Sequence, residues 1–148
     1  MATFSTEAQI DAAPAAVWDV LADIGSIHAW NPGVVDSRVT SDVEAGVGSS
    51  RHCDLGGRNY LDEDVVEWEP NEAITFRIVG SNMPFATADI AFRLRSQGDT
   101  TTVTVSPDYT LKFGPLGRLM DAVMVRRMYR KGMEQMLAGL KAHVEAAP

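Results

Sequence analysis

Residues 114–147 read GPLGRLMDAVMVRRMYRKGMEQMLAGLKAHVEAA. Leu116, Leu119, Met120, Val123, Met124 and Met128 recur three and four residues apart, and Met133, Met136, Leu137, Leu140 and Val144 do the same. That periodicity is one apolar stripe on a long helix. Pro115 falls in the first turn, where the N–H it lacks has no helical partner. At about 1.5 Å per residue the helix is a rod of roughly 45 Å, long enough to cross most of a small domain. The chain before it reads mainly as strands, so the simplest architecture is a sheet wrapped around this helix.

Five of the seven methionines lie in this helix. Methionine is flexible and polarizable, which suits a surface that adapts to more than one shape. Met133 and Met136 read as core filler. Met120 and Met124 read equally as pocket lining. Arg126, Arg127, Arg130 and Lys131 interrupt the stripe and read as a solvated face that partly covers the sheet, with a phosphate or membrane site as the other reading. The charge is unevenly divided. From Pro115 onward there are six basic and three acidic residues, so this segment is +3 in a chain of net −7 and the remainder is −10.

Working back towards the N-terminus, Phe4–Ile10 reads as a first strand. Asp11 is placed to cap a helix begun by Pro14, whose apolar side is Val17, Trp18, Leu21 and Ile24. A second short helical turn over Ile27–Asn31 stops before Pro32. Six more strands follow: Val34–Thr40, Val47–Leu55, Asn59–Glu69, Ala73–Val79, Phe85–Arg95 and Thr101–Leu111. Gly56–Gly57 is a hairpin signal, and Pro70–Asn71–Glu72 and Gln97–Gly98–Asp99 are turns. The fold class is therefore α+β: a seven-stranded antiparallel sheet around a long C-terminal helix, with two short helices between strands 1 and 2. The apolar strand faces need a cover, and the helix supplies it.

The 148 residues form one domain, 1–148, large enough to bury a core without staples. No apolar run is long enough to span a bilayer, and the opening MATFSTEAQ lacks the pattern of a secretory signal, so the expected location is cytoplasmic. The single Cys53 cannot form an internal disulfide. No Cys/His grouping has zinc-site spacing, so neither a metal nor a cofactor is expected. The acidic balance argues against nucleic acid as the main partner. A monomer or weak homodimer is expected.

Four passages resemble the START-like superfamily, also called the SRPBCC or helix-grip fold. IDAAPAAVWDVLADIGSIHAWNP looks like its opening strand and paired short helices. GVGSSRHCDL is similar to its G-x-G-x-x-R third strand. DEDVVEWEPNEAITFRIV looks like its fourth and fifth strands. The closing helix is similar to that of bacterial polyketide cyclase/dehydrase-type members. The resemblance covers nearly the whole chain. It implies a curved sheet gripping the helix around a deep, mostly apolar cavity. Relatives bind lipids, sterols, plant hormones or polyketides, and some are aromatase/cyclases.

Strand alternation nominates what such a cavity contains: Phe76, Ile78, Ile90, Phe92 and Tyr109 from the sheet, with Phe85 from the loop that leads into the sixth strand and Met120 and Met124 from the helix. The third and fourth strands carry Arg51, Cys53 and Tyr60. A two-residue hairpin at Gly56–Gly57 places Arg51 opposite Asp62 and Cys53 opposite Tyr60, whereas a three-residue loop places Arg51 opposite Glu63. One residue of slip turns a strand over, so both registers stay open on spacing alone. The resemblance favours Glu63, whose family counterpart points inward. An arginine beside a carboxylate here is a buried structural ion pair, a polar anchor for a ligand in an apolar pocket, or an exposed pair on the outer face of the sheet. The resemblance also puts His28 and Trp30 near the cavity mouth. A lone histidine without a fixed orienting partner reads as a surface or packed residue, with a general base as the other reading; no catalytic residue is assigned, and in the enzyme alternative Arg51, a carboxylate and Tyr60 or His28 would steer the chemistry. Met83–Pro84–Phe85 reads as a gate over the cavity or as a lead-in to the next strand. The expected function is binding of a small hydrophobic molecule, lipid, polyketide or isoprenoid-like, with a polyketide aromatase/cyclase or dehydratase as the alternative.

Overall fold

The computed structural model describes residues 2–147. Its strands are β1 (Ala2–Thr3), β2 (Thr6–Ile10), β3 (Asp36–Val39), β4 (Ser50–Gly56), β5 (Asn59–Glu69), β6 (Ala73–Ser81), β7 (Phe85–Gln97) and β8 (Thr100–Leu111). They form one antiparallel sheet in the order β1–β8–β7–β6–β5–β4–β3, with β2 also on β8. β1 and β2 are the first strand predicted over Phe4–Ile10, shifted to start at Ala2 and broken in the middle. Both keep one register on β8, Ala2 with Tyr109 and Thr6 with Val105, so the break falls opposite Pro107 and Ser106. Proline brings no N–H to a ladder, which is where the pairing lapses. Counted as one strand, they complete the seven-stranded sheet expected from the sequence.

Between them and β3 lie α1 (Pro14–Ala22) and a 3-10 segment, Ile24–Ala29. Pro14 opens α1, but Ala13, not Asp11, is its cap, and no side chain bonds there. Asp11 instead donates its backbone N–H to Glu145 Oε2 at 2.8 Å, tying the start of the chain to its last helix. The expected strands Val34–Thr40 and Val47–Leu55 shorten to β3 and β4. Gly46 (φ 86°) and Gly48 (φ 96°) hold the link in the left-handed region, which delays β4 until Ser50.

Register shifts interrupt β4–β5, β5–β6 and β7–β8. Each extra residue bends and twists its strand, and together they curl the sheet. The helix in its concavity runs from α2 (Gly114–Met120) through a π-turn, Asp121–Val125, into α3 (Arg126–Ala146).

The two halves of that helix behave differently. Met136, Leu137, Leu140 and Val144 are buried against Ile10, Val17, Trp18, Leu21, Phe92 and their neighbours. Leu116, Leu119 and Val123 are 58–71% exposed. The π-turn is the reason. Near four residues per turn it keeps Gly117, Asp121, Val125, Tyr129 and Met133 on the sheet side, where an unbroken α-helix would drift off that spacing. The stripe expected over residues 116–128 is therefore turned largely outward. A close approach fixes the other half: a Cβ on Gly139 would run into the Trp30 carbonyl oxygen and meet Pro32 Cδ at 3.0 Å.

Candidate functional site

The β4–β5 hairpin sets the polar part of the site. Gly57 and Arg58, at φ 60° and 71°, are its two turn residues, and Gly56 pairs with Asn59. Positive φ at both positions is what a tight type I′ connection requires. The turn thus sits one residue later than Gly56–Gly57. The ladder then skips Leu55, so Asp54 pairs with Tyr60, Cys53 with Leu61 and Arg51 with Glu63. The bulge performs the slip that a three-residue loop would have made.

Arg51 and Glu63 are each 3% exposed. Arg51 Nε donates to Glu63 Oε1 at 2.8 Å, and its Nη1 donates to the Ile24 carbonyl at 3.1 Å. The guanidinium also lies 3.8 Å from the centroid of the Phe76 ring, a cation–π contact in a desolvated setting. Cys53 Sγ, 3.6 Å from Glu63 Oε1, donates to it. Burial, then the Glu63 charge, pushes the Cys53 thiol up to about 12, so it stays protonated.

This cluster lies at a cleft of about 490 Å³ between the sheet and the standing-off half of the helix. Binding pockets for small molecules fall in the range of about 300–1,000 Å³ and are lined mostly by apolar side chains. Here the polar side chains of the lining are Asn31, Arg51, Cys53, Glu63 and Tyr129; the rest is apolar or glycine. Of the residues nominated from sequence, Arg51, Cys53, Glu63, Phe76, Ile78, Phe85, Ile90, Phe92, Met120 and Met124 border it together. Met83 and Pro84 border it too. The Phe85 ring packs on Tyr109 and Tyr129, with centroids 6.0 and 5.5 Å away, so the segment both rims the cleft and leads into β7.

Tyr60, Tyr109 and Trp30 lie outside the lining. The bulge at Leu55 gives the place opposite Cys53 to Leu61, and Tyr60 stacks on His52 at 5.8 Å, where His52 Nδ1 lies 2.6 Å from Asp62 Oδ1. Tyr109 is fully buried in a second apolar cluster with Phe4 and donates its hydroxyl hydrogen to Asp121 Oδ1 in the π-turn. Trp30 is buried in the main core with its carbonyl against Gly139. His28 is exposed with Nδ1 2.6 Å from Ser37 Oγ, and neither residue borders the cleft.

Sequence reasoning missed Tyr129. It sits inside the basic run 126–131, which reads as a solvated face, yet the π-turn brings it inward. Burial, then the Glu63 charge, holds its phenol above the ordinary range, and its hydroxyl has no hydrogen-bond partner among the described residues. A missed signal was the spacing of four that links Asp121, Val125, Tyr129 and Met133.

Comparisons with known proteins agree with this architecture. A family model described as polyketide cyclase/dehydrase and lipid transport matches residues 1–145. Among solved structures, TTHA0849 from Thermus thermophilus superposes with a TM-score of 0.81 at 19% identity, covering 98% of each chain. A START superfamily protein from Mycobacterium smegmatis gives 0.80 at 16% identity over 97% of each chain. The Zhui aromatase/cyclase from Streptomyces sp. R1128 gives 0.76 at 16% identity, over 97% of this chain and 93% of that one. At these identities the likeness is one of fold. No curated protein matches by sequence. No helix among the described residues is long and apolar enough to cross a membrane.

Proposed function

The chain belongs to the polyketide cyclase/dehydrase and lipid transport family, and from that premise we propose that it binds a small hydrophobic molecule in the cleft between β-sheet and helix. The observation that carries the reading is a cleft of about 490 Å³ whose apolar lining closes on one buried ion pair, Arg51–Glu63. An apolar guest gains by leaving water for such a lining, at about 25 cal/mol per Å² buried. Its polar end would meet Arg51, Glu63 and the Tyr129 hydroxyl. Arg51 Nη2 and Glu63 Oε2 make no bond to the described residues, so guanidinium N–H donors and a carboxylate oxygen remain for a hydroxyl, carbonyl or carboxyl group. Fatty, isoprenoid and polyketide molecules carry such groups on a greasy body.

Displacement of a fluorescent fatty-acid probe tests it, with Gly132→Phe as the control. Gly132 borders the cleft, and a Cβ built there meets nothing within 4 Å, so a bulky side chain can be introduced at the cleft wall without a clash at its root. Saturable binding that falls at least about tenfold in a folded Gly132→Phe variant is expected, since an occupied pocket cannot take a guest. Binding untouched by the plug would remove the cleft from the proposal.

Tyr129 favours a second reading, a polyketide aromatase/cyclase or dehydratase acting in the same cleft. The Tyr129 hydroxyl, without a hydrogen-bond partner among the described residues, is a donor that can polarise a carbonyl held near the Glu63 carboxylate. Turnover of a poly-β-ketone thioester, lost in Glu63→Gln and Tyr129→Phe, would support it. Turnover unchanged after Arg51→Ala and Glu63→Ala together would end that assignment.

A further inference from the structure

The outward side of the helix's first half is left uncovered by the described residues, and only Met124 and Met128 of it also reach the cleft. Phe113, Leu116, Leu119, Val123, Met124 and Met128 are each more than half exposed. Phe113 holds a left-handed φ of 78°, which a bulky residue rarely adopts, and presents its ring to solvent just before α2. Single exposed apolar residues are ordinary. Six of them within sixteen positions of one segment are a patch of the kind that marks an interaction site.

The charges around the patch choose its partner. Residues 112–131 carry Lys112, Arg118, Arg126, Arg127, Arg130 and Lys131 against a single acid, Asp121. Asp121 is engaged by the Tyr109 hydroxyl and lies 3.6 Å from Arg126 Nε. The segment is thus +5 in a chain of −7. A two-fold contact between copies would bring this basic face against itself, so a second copy is disfavoured. An anionic sheet of phosphates fits, because it takes apolar residues into its interface and pairs with the basic ones. The strongly acidic remainder of the chain would be repelled by the same surface, which orients the helix towards it. Met124 and Met128 belong to both the patch and the cleft lining, so the two surfaces are continuous.

We propose that the outer face of residues 113–128 docks on an anionic phospholipid bilayer, with the cleft mouth at the lipid surface. The proposal does not depend on what the cleft holds. Co-sedimentation with vesicles of phosphatidylcholine alone, and of phosphatidylcholine with about a third phosphatidylglycerol, tests it. Full-chain protein should bind the anionic vesicles at least about tenfold more tightly, and high salt should weaken that binding. Leu119→Asp with Val123→Asp should lose about tenfold or more by removing the inserting residues, and Arg127→Glu with Lys131→Glu should lose a similar factor. None of these four residues is among those bordering the cleft, so probe displacement should be unchanged and shows that the variants are folded. Equal affinity for neutral and anionic vesicles, or no binding to either, overturns the proposal. So does undiminished binding by the Asp variant, or a wild-type dimer in solution that Val123→Asp dissolves, which would give the face to a second copy.

Discussion

Arg51 and Glu63 face each other across β4 and β5, Nε to Oε1 at 2.8 Å, and both are almost wholly buried. Charges so placed are costly to desolvate, and a pair of this kind adds little net stability. Breaking it is another matter, because the surviving charge is stranded. Arg51→Met or Glu63→Leu alone should cost about 3–5 kcal/mol in urea unfolding, whereas the double variant should sit near the wild type or above it. The double variant should nonetheless bind the fluorescent fatty-acid probe at least about tenfold more weakly. Full retention of affinity would make the pair structural only.

The Tyr109 hydroxyl bonds Asp121 in the π-turn, and that bond holds the loosely packed half of the helix to β8. Tyr109→Phe should cost about 1–2 kcal/mol, the usual effect of removing one partner of a partly buried, charge-assisted bond. Amide hydrogen exchange should rise over Asp121–Val125 and stay unchanged around Leu140. Uniform acceleration along the whole helix would contradict this division.

Two helix glycines should respond oppositely to alanine. At Gly132 a methyl meets open space, so the gain in helix propensity should stabilise the protein by about 0.5–1 kcal/mol. At Gly139 the methyl strikes the Trp30 carbonyl, and the chain must shift at a cost of about 1–3 kcal/mol. Thermal melts of the two variants check the pair, and equal shifts would deny the close approach.

Burial holds the Cys53 thiol neutral up to about 12. Iodoacetamide reacts with the thiolate, so native protein at pH 8 should label far more slowly than the unfolded chain. The stability that follows from this shift is complete below the thiol's unfolded value near 9 and is lost as pH rises towards 12. Native-state labelling as fast as in denaturant would place Cys53 in open contact with water.

Most strands, and the helix as a whole, were legible because alternation and helical spacing are local signals. Asn59–Glu69 is seen with the bounds that the pattern gave. What escaped depends on single residues that change phase. A bulge at Leu55 turns Tyr60 outward and brings Glu63 to Arg51, and spacing alone left that register open. The π-turn at Asp121–Val125 rotates Leu116, Leu119 and Val123 away from the sheet and Tyr129 towards it. Apolar periodicity cannot register an inserted residue that tertiary contacts, here Tyr109 with Asp121, stabilise. The cleft lies under that half of the helix, so the polar group most missed lies beside the feature least visible in sequence.

Six of the seven methionines border the cleft: Met83, Met120, Met124, Met128, Met133 and Met136. Methyl-labelled methionine NMR therefore watches the space directly. During titration with fatty acids, isoprenoids and polycyclic aromatics, at least one guest should shift the methyl signals of Met120, Met133 and Met136 saturably, and Gly132→Phe should abolish the shifts. No saturable change at any of these methyls across the panel would contradict a binding role for the cleft.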